Sequence, residues 1–120
     1  HVDHAILMLY DEHWATSPVA GPIASRAWFE RSASRVIDAL PPGKVIAALG
    51  AYGYGWNDAT GDVEAFTHQE VMAAARAHGV RPVWDAASGT PYLAWREPDS
   101  TDHVVWYLDA VTAHEQARFA

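Results

Sequence analysis

Residues 5–14 read Ala5-Ile6-Leu7-Met8-Leu9-Tyr10-Asp11-Glu12-His13-Trp14, and the reading of that stretch decides the fold. An apolar run long enough for one strand stops at an aromatic, two acids, a histidine and a second aromatic. Apolar residues over 4–9 do not alternate with polar ones, which predicts a strand buried on both faces, as in a parallel sheet. In parallel α/β sheets ligands bind just past the carboxyl ends of the strands. Tyr10 to Trp14 occupy that place.

Downstream, Ser17-Pro18 and Gly21-Pro22 mark a loop. Ser25 is a suitable N-cap for a helix over about 26–40, with Trp28 or Phe29, Ser32, Val36, Ile37 and Leu40 as its buried stripe. Pro41-Pro42-Gly43 ends it. Val45-Ile46-Ala47-Ala48-Leu49-Gly50 is a second doubly buried strand, so residues 4–50 form a strand–helix–strand unit with parallel strands. This strand also runs into aromatics, Ala51-Tyr52-Gly53-Tyr54-Gly55-Trp56. There the glycines allow sharp turns while the rings project from the sheet edge. Two neighbouring strands thus deliver aromatic rings, and one of them acids, to a single edge.

After Trp56 the pattern changes. Asn57 to Asp62 is a loop, and Thr67-His68-Gln69-Glu70 is a capping box opening a helix over about 68–78 that Gly79 closes. Three short strands follow, at Arg81 to Trp84, Tyr92 to Arg96 and Val104 to Leu108, separated by turn material. Trp28, Trp84 and Trp95 are expected to pack in the core or in hairpins. A last helix starts near Asp109 or Thr112. The chain therefore divides into a strand–helix–strand segment over 1–56, a small α+β insertion over 57–108 and the start of a further, truncated helix over 109–120.

Composition bounds the function. The chain has 120 residues, half of them hydrophobic, a formal charge of -7 and no cysteine. It can bury a core, but its charge disfavours nucleic acid or an anionic membrane as partner. Six Trp and five Tyr supply flat, half-polar surfaces, suited to stacking on sugar rings. Asp3 and His4 lie roughly 20 Å from Asp11, Glu12 and His13 along the strand, so the two groups do not make one metal site, and no metal is expected. There is no Gly-x-Ser-x-Gly elbow and no phosphate-binding glycine loop. A paired-carboxylate glycosidase chemistry suits the edge better. Adjacent residues of an extended chain point apart, and Asp11, directly after Tyr10, is the acid favoured to face a ligand.

Met8-Leu9-Tyr10-Asp11 resembles the Met-x-Tyr-Asp motif that ends barrel strand six in family-18 glycoside hydrolases, the chitinase-like enzymes. Gly21-Pro22-Ile23-Ala24 with Trp28 resembles the loop and helix after that strand. Pro41 to Trp56 resembles strand seven with its substrate-side loop. His103-Val104-Val105-Trp106-Tyr107-Leu108-Asp109-Ala110 resembles the closing segment of the family's α+β insertion. The nearest likeness is to the bacterial branch of spore-cortex and cell-wall glycosidases, which includes domains fused to a polysaccharide deacetylase and a glycosyltransferase.

That resemblance implies an α/β fold: part of a (β/α)8 TIM barrel, about strands six and seven with their helices, carrying a small α+β insertion. It implies substrate-assisted retaining hydrolysis of an N-acetylated, chitin- or peptidoglycan-like polysaccharide, in which the sugar's acetamido oxygen is the nucleophile. Tyr10 and Asp11 would be the catalytic contacts to that acetamido group. Met8, Trp14, Tyr52, Tyr54 and Trp56 would line the substrate cleft, and Trp106 and Asp109 would serve as structural or cleft-wall positions. No cofactor is implied, and the partners would be the oligosaccharide and the remainder of the barrel. Both ends of the chain would be cuts, in a parent that is extracytoplasmic or associated with a bacterial cell envelope. The family's Asp-x-x-Asp-x-Asp-x-Glu motif, which ends in the general acid, and its strand-eight Trp have no match here. The alternative is therefore a catalytically silent carbohydrate-binding domain, and a protein-interaction module using the same aromatics is a weaker third reading.

Overall fold

A computed structural model describes residues 2–41 and 43–120; Pro42, in the expected helix-ending turn, lies outside the described residues, as does His1. Two sheets are present, and each has its own core. Strands β1 (Ala5–Leu9) and β2 (Val45–Leu49) pair in parallel with Ala5 opposite Val45 and Leu9 opposite Leu49. Helix α1 (Arg26–Ile37) crosses between them. Ser25 caps it as expected, its hydroxyl accepting from the Trp28 N–H.

The helix ends three residues earlier than expected. Its buried residues are Phe29 and Ala33, whereas Ile37 is 38% exposed. Phe29 and Ala33 pack on Leu9 and Ala24, with Leu7, Trp28, Ala47 and Leu49 around them. That covers one face of the two-stranded sheet only. On the other face Ile6, Met8 and Ile46 are 66%, 68% and 49% exposed, so the expectation of strands buried on both faces is not met within this chain. The alternation is plain in β1 once the structure is known: Leu7 and Leu9 point to the helix, Ile6 and Met8 away.

Only residues 50–52 separate β2 from the next strand. β3 (Gly53–Asn57), β4 (Val63–Phe66), β5 (Val83–Asp85), β6 (Thr90–Arg96) and β7 (Asp102–Tyr107) form an antiparallel sheet in the order β4-β3-β7-β6-β5. The Gly/aromatic segment is therefore a strand and not a series of sharp turns. Its glycines permit close approach, since a Cβ on Gly55 would lie 2.6 Å from the Phe66 ring. Helix α2 (His68–His78) carries the expected capping box between Thr67 and Glu70 and ends at Gly79 in the left-handed conformation. It covers one face of the sheet through Val71, Ala75, Leu93, Val105 and Tyr107.

The opposite face is set by the register. Tyr54 lies across from Trp106, which lies across from Tyr92, and Trp106 and Tyr92 are 4.9 Å apart at their ring centroids. Trp95 packs as expected, stacked between His78 and His103 at 4.6 and 4.9 Å. Trp84 does not; it is half exposed at the β5 edge. Helix α3 (Ala110–Phe119) starts on an Asp109 N-cap and returns to α1, where Phe119 meets Phe29 edge to face and Gln116 donates to the Ala24 carbonyl. Among the described residues the architecture is a mixed α/β fold with three helices.

Candidate active site

The carboxyl ends of β1 and β2 lie side by side because Leu9 is in register with Leu49. Tyr10 and Asp11 leave the first strand there, and Tyr52 follows three residues after the second. Gly50 makes the junction close: a Cβ at that position would come 2.6 Å from Tyr10 Cβ and 3.1 Å from the Tyr52 ring. With hydrogen in its place, Tyr10 and Tyr52 meet edge to face at 5.9 Å. Tyr52 meets Tyr54 in the same way at 5.4 Å, and Tyr54 meets Trp56 at 6.3 Å. Four rings thus form a continuous row from the end of β1 along β3. Such edge-to-face pairs contribute about 0.5–1.5 kcal/mol each beyond area burial.

Asp11 stands beside this row. Its backbone has φ of 65°, a left-handed conformation uncommon outside glycine, though tolerated by Asp more readily than by most residues. That turn breaks the extended path expected after the strand. It places the carboxylate against Tyr52, whose hydroxyl donates to Asp11 Oδ1. Burial first, then this hydrogen bond and the Asp11 charge, raise the Tyr52 phenol well above its ordinary value. Burial and the same charge also raise Tyr54. The Tyr52 phenol is therefore held neutral as a donor, and the remaining lone pairs of Asp11 can accept a hydrogen bond from a ligand N–H or O–H.

The other expected site residues separate into distinct places. Met8 is exposed on the open face of β1, and Trp14 is half exposed in the loop after it. Trp56 is only 7% exposed; its indole N–H donates to the Ser17 carbonyl at 3.1 Å, so it anchors that loop to β3. Glu12 and His13 turn away from Asp11. The Glu12 carboxylate accepts from the Ser25 N–H at 2.5 Å and the Ser25 hydroxyl at 3.0 Å, and His13 Nδ1 lies 3.0 Å from the Pro22 carbonyl.

A cleft of about 760 Å³ opens at the far end of the aromatic row, bounded by Ser17, Pro18, Trp56, Asn57, Trp95 and His103. It lies between the loop after β1 and the five-stranded sheet. Tyr10, Asp11 and Tyr52 do not line it, and Trp56 is the residue that belongs to both the row and the cleft. Sequence reasoning did not find Gly50 or this cleft. Among the described residues no group of three or more His, Asp or Glu side chains is placed to hold a metal ion, and no helix is long and apolar enough to cross a membrane.

No protein-family model matches the chain. It is 26% identical, over its whole length, to the uncharacterized glycosylase YvbX of Bacillus subtilis, covering 35% of that protein. It is 27% identical over 90% of its length to the putative sporulation-specific glycosylase YdhD of the same organism, covering 26% of it. The chain thus spans about a third or less of these relatives. The crystal structure of YdhD superposes on 98% of the chain with a TM-score of 0.87 at 22% identity, over 41% of the solved chain. A chitinase from Chromobacterium violaceum superposes on 92% with a TM-score of 0.79 at 27% identity, over 34% of its chain. The fold is that of parts of chitinase-like proteins, and the relatives are glycosylases.

Proposed function

We propose that this chain supplies the Tyr10–Asp11–Tyr52 side of the active site of a family-18-type glycosidase that cleaves N-acetylated, chitin- or peptidoglycan-like polysaccharide. One observation carries the reading. At the carboxyl end of two parallel strands, a carboxylate in a left-handed turn accepts from a neutral phenol and stands beside a row of aromatic rings. Glycosylase relatives that match 100% and 90% of the chain support it.

The chemistry follows from what these groups can do. The acetamido carbonyl oxygen of the bound sugar attacks its own anomeric carbon as the glycosidic bond breaks, so no protein nucleophile is needed. Asp11 accepts from the acetamido N–H, which holds the carbonyl oxygen toward the anomeric carbon and favours the positive charge that develops on the ring so formed. The Tyr10 hydroxyl donates to the same acetamido group. Tyr52 fixes the Asp11 carboxylate in direction, and Tyr54 extends the apolar wall against which sugar faces stack. The departing oxygen takes its proton from a carboxylic acid elsewhere in the protein, because Glu12 is bound to Ser25 and no Asp-x-x-Asp-x-Asp-x-Glu sequence occurs here.

The open face of Ile6, Met8 and Ile46 fits the same reading. Apolar strands with one bare face are the form a segment of a (β/α)8 barrel takes without its other strands, and those strands would be its partner. The five-stranded sheet with α2 then forms the insertion beside the cleft.

The row of aromatic rings by itself supports a second reading, a silent carbohydrate-binding domain. One experiment separates the two: incubation of the protein at its natural length with N-acetylglucosamine oligomers, with product release and tryptophan fluorescence followed together. Cleavage supports the glycosidase. A fluorescence change without products supports the silent domain, and neither response removes both.

A further inference from the structure

Asp11 carries a left-handed backbone conformation that is strained for a residue with a side chain, and such conformations persist only where the surroundings over-determine them. On its amino-terminal side, Tyr10 is locked between Gly50 and the Tyr52 ring. On its carboxyl-terminal side the fixing residue is Glu12. Its N–H donates to the Ile23 carbonyl at 2.8 Å, and its two carboxylate oxygens take the N–H and hydroxyl of Ser25. Hydrogen bonds to an ionised carboxylate are about twice as strong as neutral ones, and Ser25 is the N-cap of α1, where helix dipole and free N–H groups favour negative charge.

His13 completes the clamp. Its ring sits over Gly21, where any Cβ would lie 2.5 Å from it, and its Nδ1 reaches the Pro22 carbonyl. Residues 12 and 13 are thereby fastened to residues 22–25, directly after the left-handed residue Asp11.

We propose that Glu12 is a positioning residue for the active site: its carboxylate, seated on Ser25 at the start of α1, locks the turn that holds Asp11 left-handed against the Tyr52 hydroxyl. It does not touch the substrate. The role rests on the proposed function only in so far as Asp11 contacts the sugar; the geometry it controls exists without any ligand.

The test has two arms. In the first, tyrosine labelled with ¹³C at Cζ reports the alkaline titration of Tyr52 in the wild type, Glu12→Gln, Glu12→Asp and Asp11→Asn. Glu12→Gln keeps the size of the side chain but removes its charge and leaves one acceptor oxygen, so the Ser25 N–H and hydroxyl can no longer both donate to a carboxylate. It is expected to titrate Tyr52 earlier, close to the Asp11→Asn midpoint, whereas Glu12→Asp returns part of the way to wild type. Loss of stability alone does not move Tyr52 in that graded order. Ser25→Ala, which removes only one of the two bonds, gives the same comparison at smaller amplitude should Glu12→Gln fail to fold. A folded Glu12→Gln, or a folded Ser25→Ala, with the wild-type Tyr52 midpoint overturns the proposal.

In the second arm, kcat and KM are measured on an N-acetylglucosamine tetramer with the protein at its natural length. Glu12→Gln is expected to lower kcat about 10- to 100-fold, as a small misplacement of a contacting group does, with KM within about twofold. An unchanged kcat overturns the proposal. If the wild type itself releases no sugar, the proposed function fails and the titration arm alone decides the role of Glu12.

Discussion

The hydroxyl of Tyr52 donates to Asp11 Oδ1 across 41 residues of sequence, joining the turn after β1 to the segment after β2. Neither residue is deeply buried, yet each determines the chemistry of the other. Burial first and Asp11 second make the phenol hold its proton more tightly, and the phenol aims the carboxylate. Around them the row of rings from Tyr10 to Trp56 makes one wall from two sheets.

The Tyr52 phenol is raised in the folded protein, by burial first and by Asp11 second, above its unfolded value of about 10. The fold therefore binds this proton more tightly than the unfolded chain does. The stability it contributes is complete below pH about 10 and is lost as pH rises beyond it. Absorbance at 295 nm should show Tyr52 ionising after ordinary phenols, together with Tyr54 and Tyr107, which burial also raises. Asp11→Asn should advance Tyr52 only part of the way, because burial remains.

Gly50→Ala should damage the site more than its single methyl group suggests. The added Cβ meets Tyr10 Cβ at 2.6 Å and Ile23 at 3.1 Å, so Tyr10 must shift. Overpacking of this kind costs about 1–3 kcal/mol. The expected result is a lower thermal midpoint and a loss of near-ultraviolet dichroism from the Tyr10–Tyr52 pair. An unaltered spectrum would mean that the rings are not coupled there.

Leu93 is fully buried beneath α2, and Val71 and Val105 belong to the same core. Leu93→Ala should cost about 2–5 kcal/mol, measured by denaturant unfolding. Hydrogen exchange should place the largest loss of protection in β6, β7 and α2. Phe29 and Leu9 belong to the other core, so amides of β1 and β2 should change less.

Much of this was legible in the sequence because local signals were strong. The apolar run before Tyr10, the Ser25 cap and the Thr67–Glu70 capping box each specify a backbone state within a few residues. What escaped has physical reasons. β3 was hidden because glycine is depleted in strands, whereas here Gly53 and Gly55 are selected by the closeness of the Trp106 backbone and the Phe66 ring. Four-residue β4 is too short for its period to be read.

The open face of β1 and β2 is a different case. Ile6 and Met8 look buried in sequence because strands bare on one face carry no mark saying where their cover comes from. At the site, sequence singled out Asp11 and Tyr52 separately. It could not join them, because the left-handed turn at Asp11 is enforced by Glu12, Ser25 and Gly50 from three different segments. Trp56, expected to line the cleft, also holds the loop after β1 through its N–H bond to the Ser17 carbonyl, a pairing across 39 residues that no local signal marks.

Turnover reports whether Tyr10 and Asp11 hold the acetamido group of a substrate that supplies its own nucleophile. Single-turnover cleavage of an N-acetylglucosamine oligomer should be measured for wild type, Tyr10→Phe and Asp11→Asn in the protein at its natural length. Loss of a group that orients and stabilises the reacting oxygen should slow cleavage by about 100-fold or more in Asp11→Asn, and by a smaller factor in Tyr10→Phe. Cleavage at the wild-type rate by both variants would contradict the account.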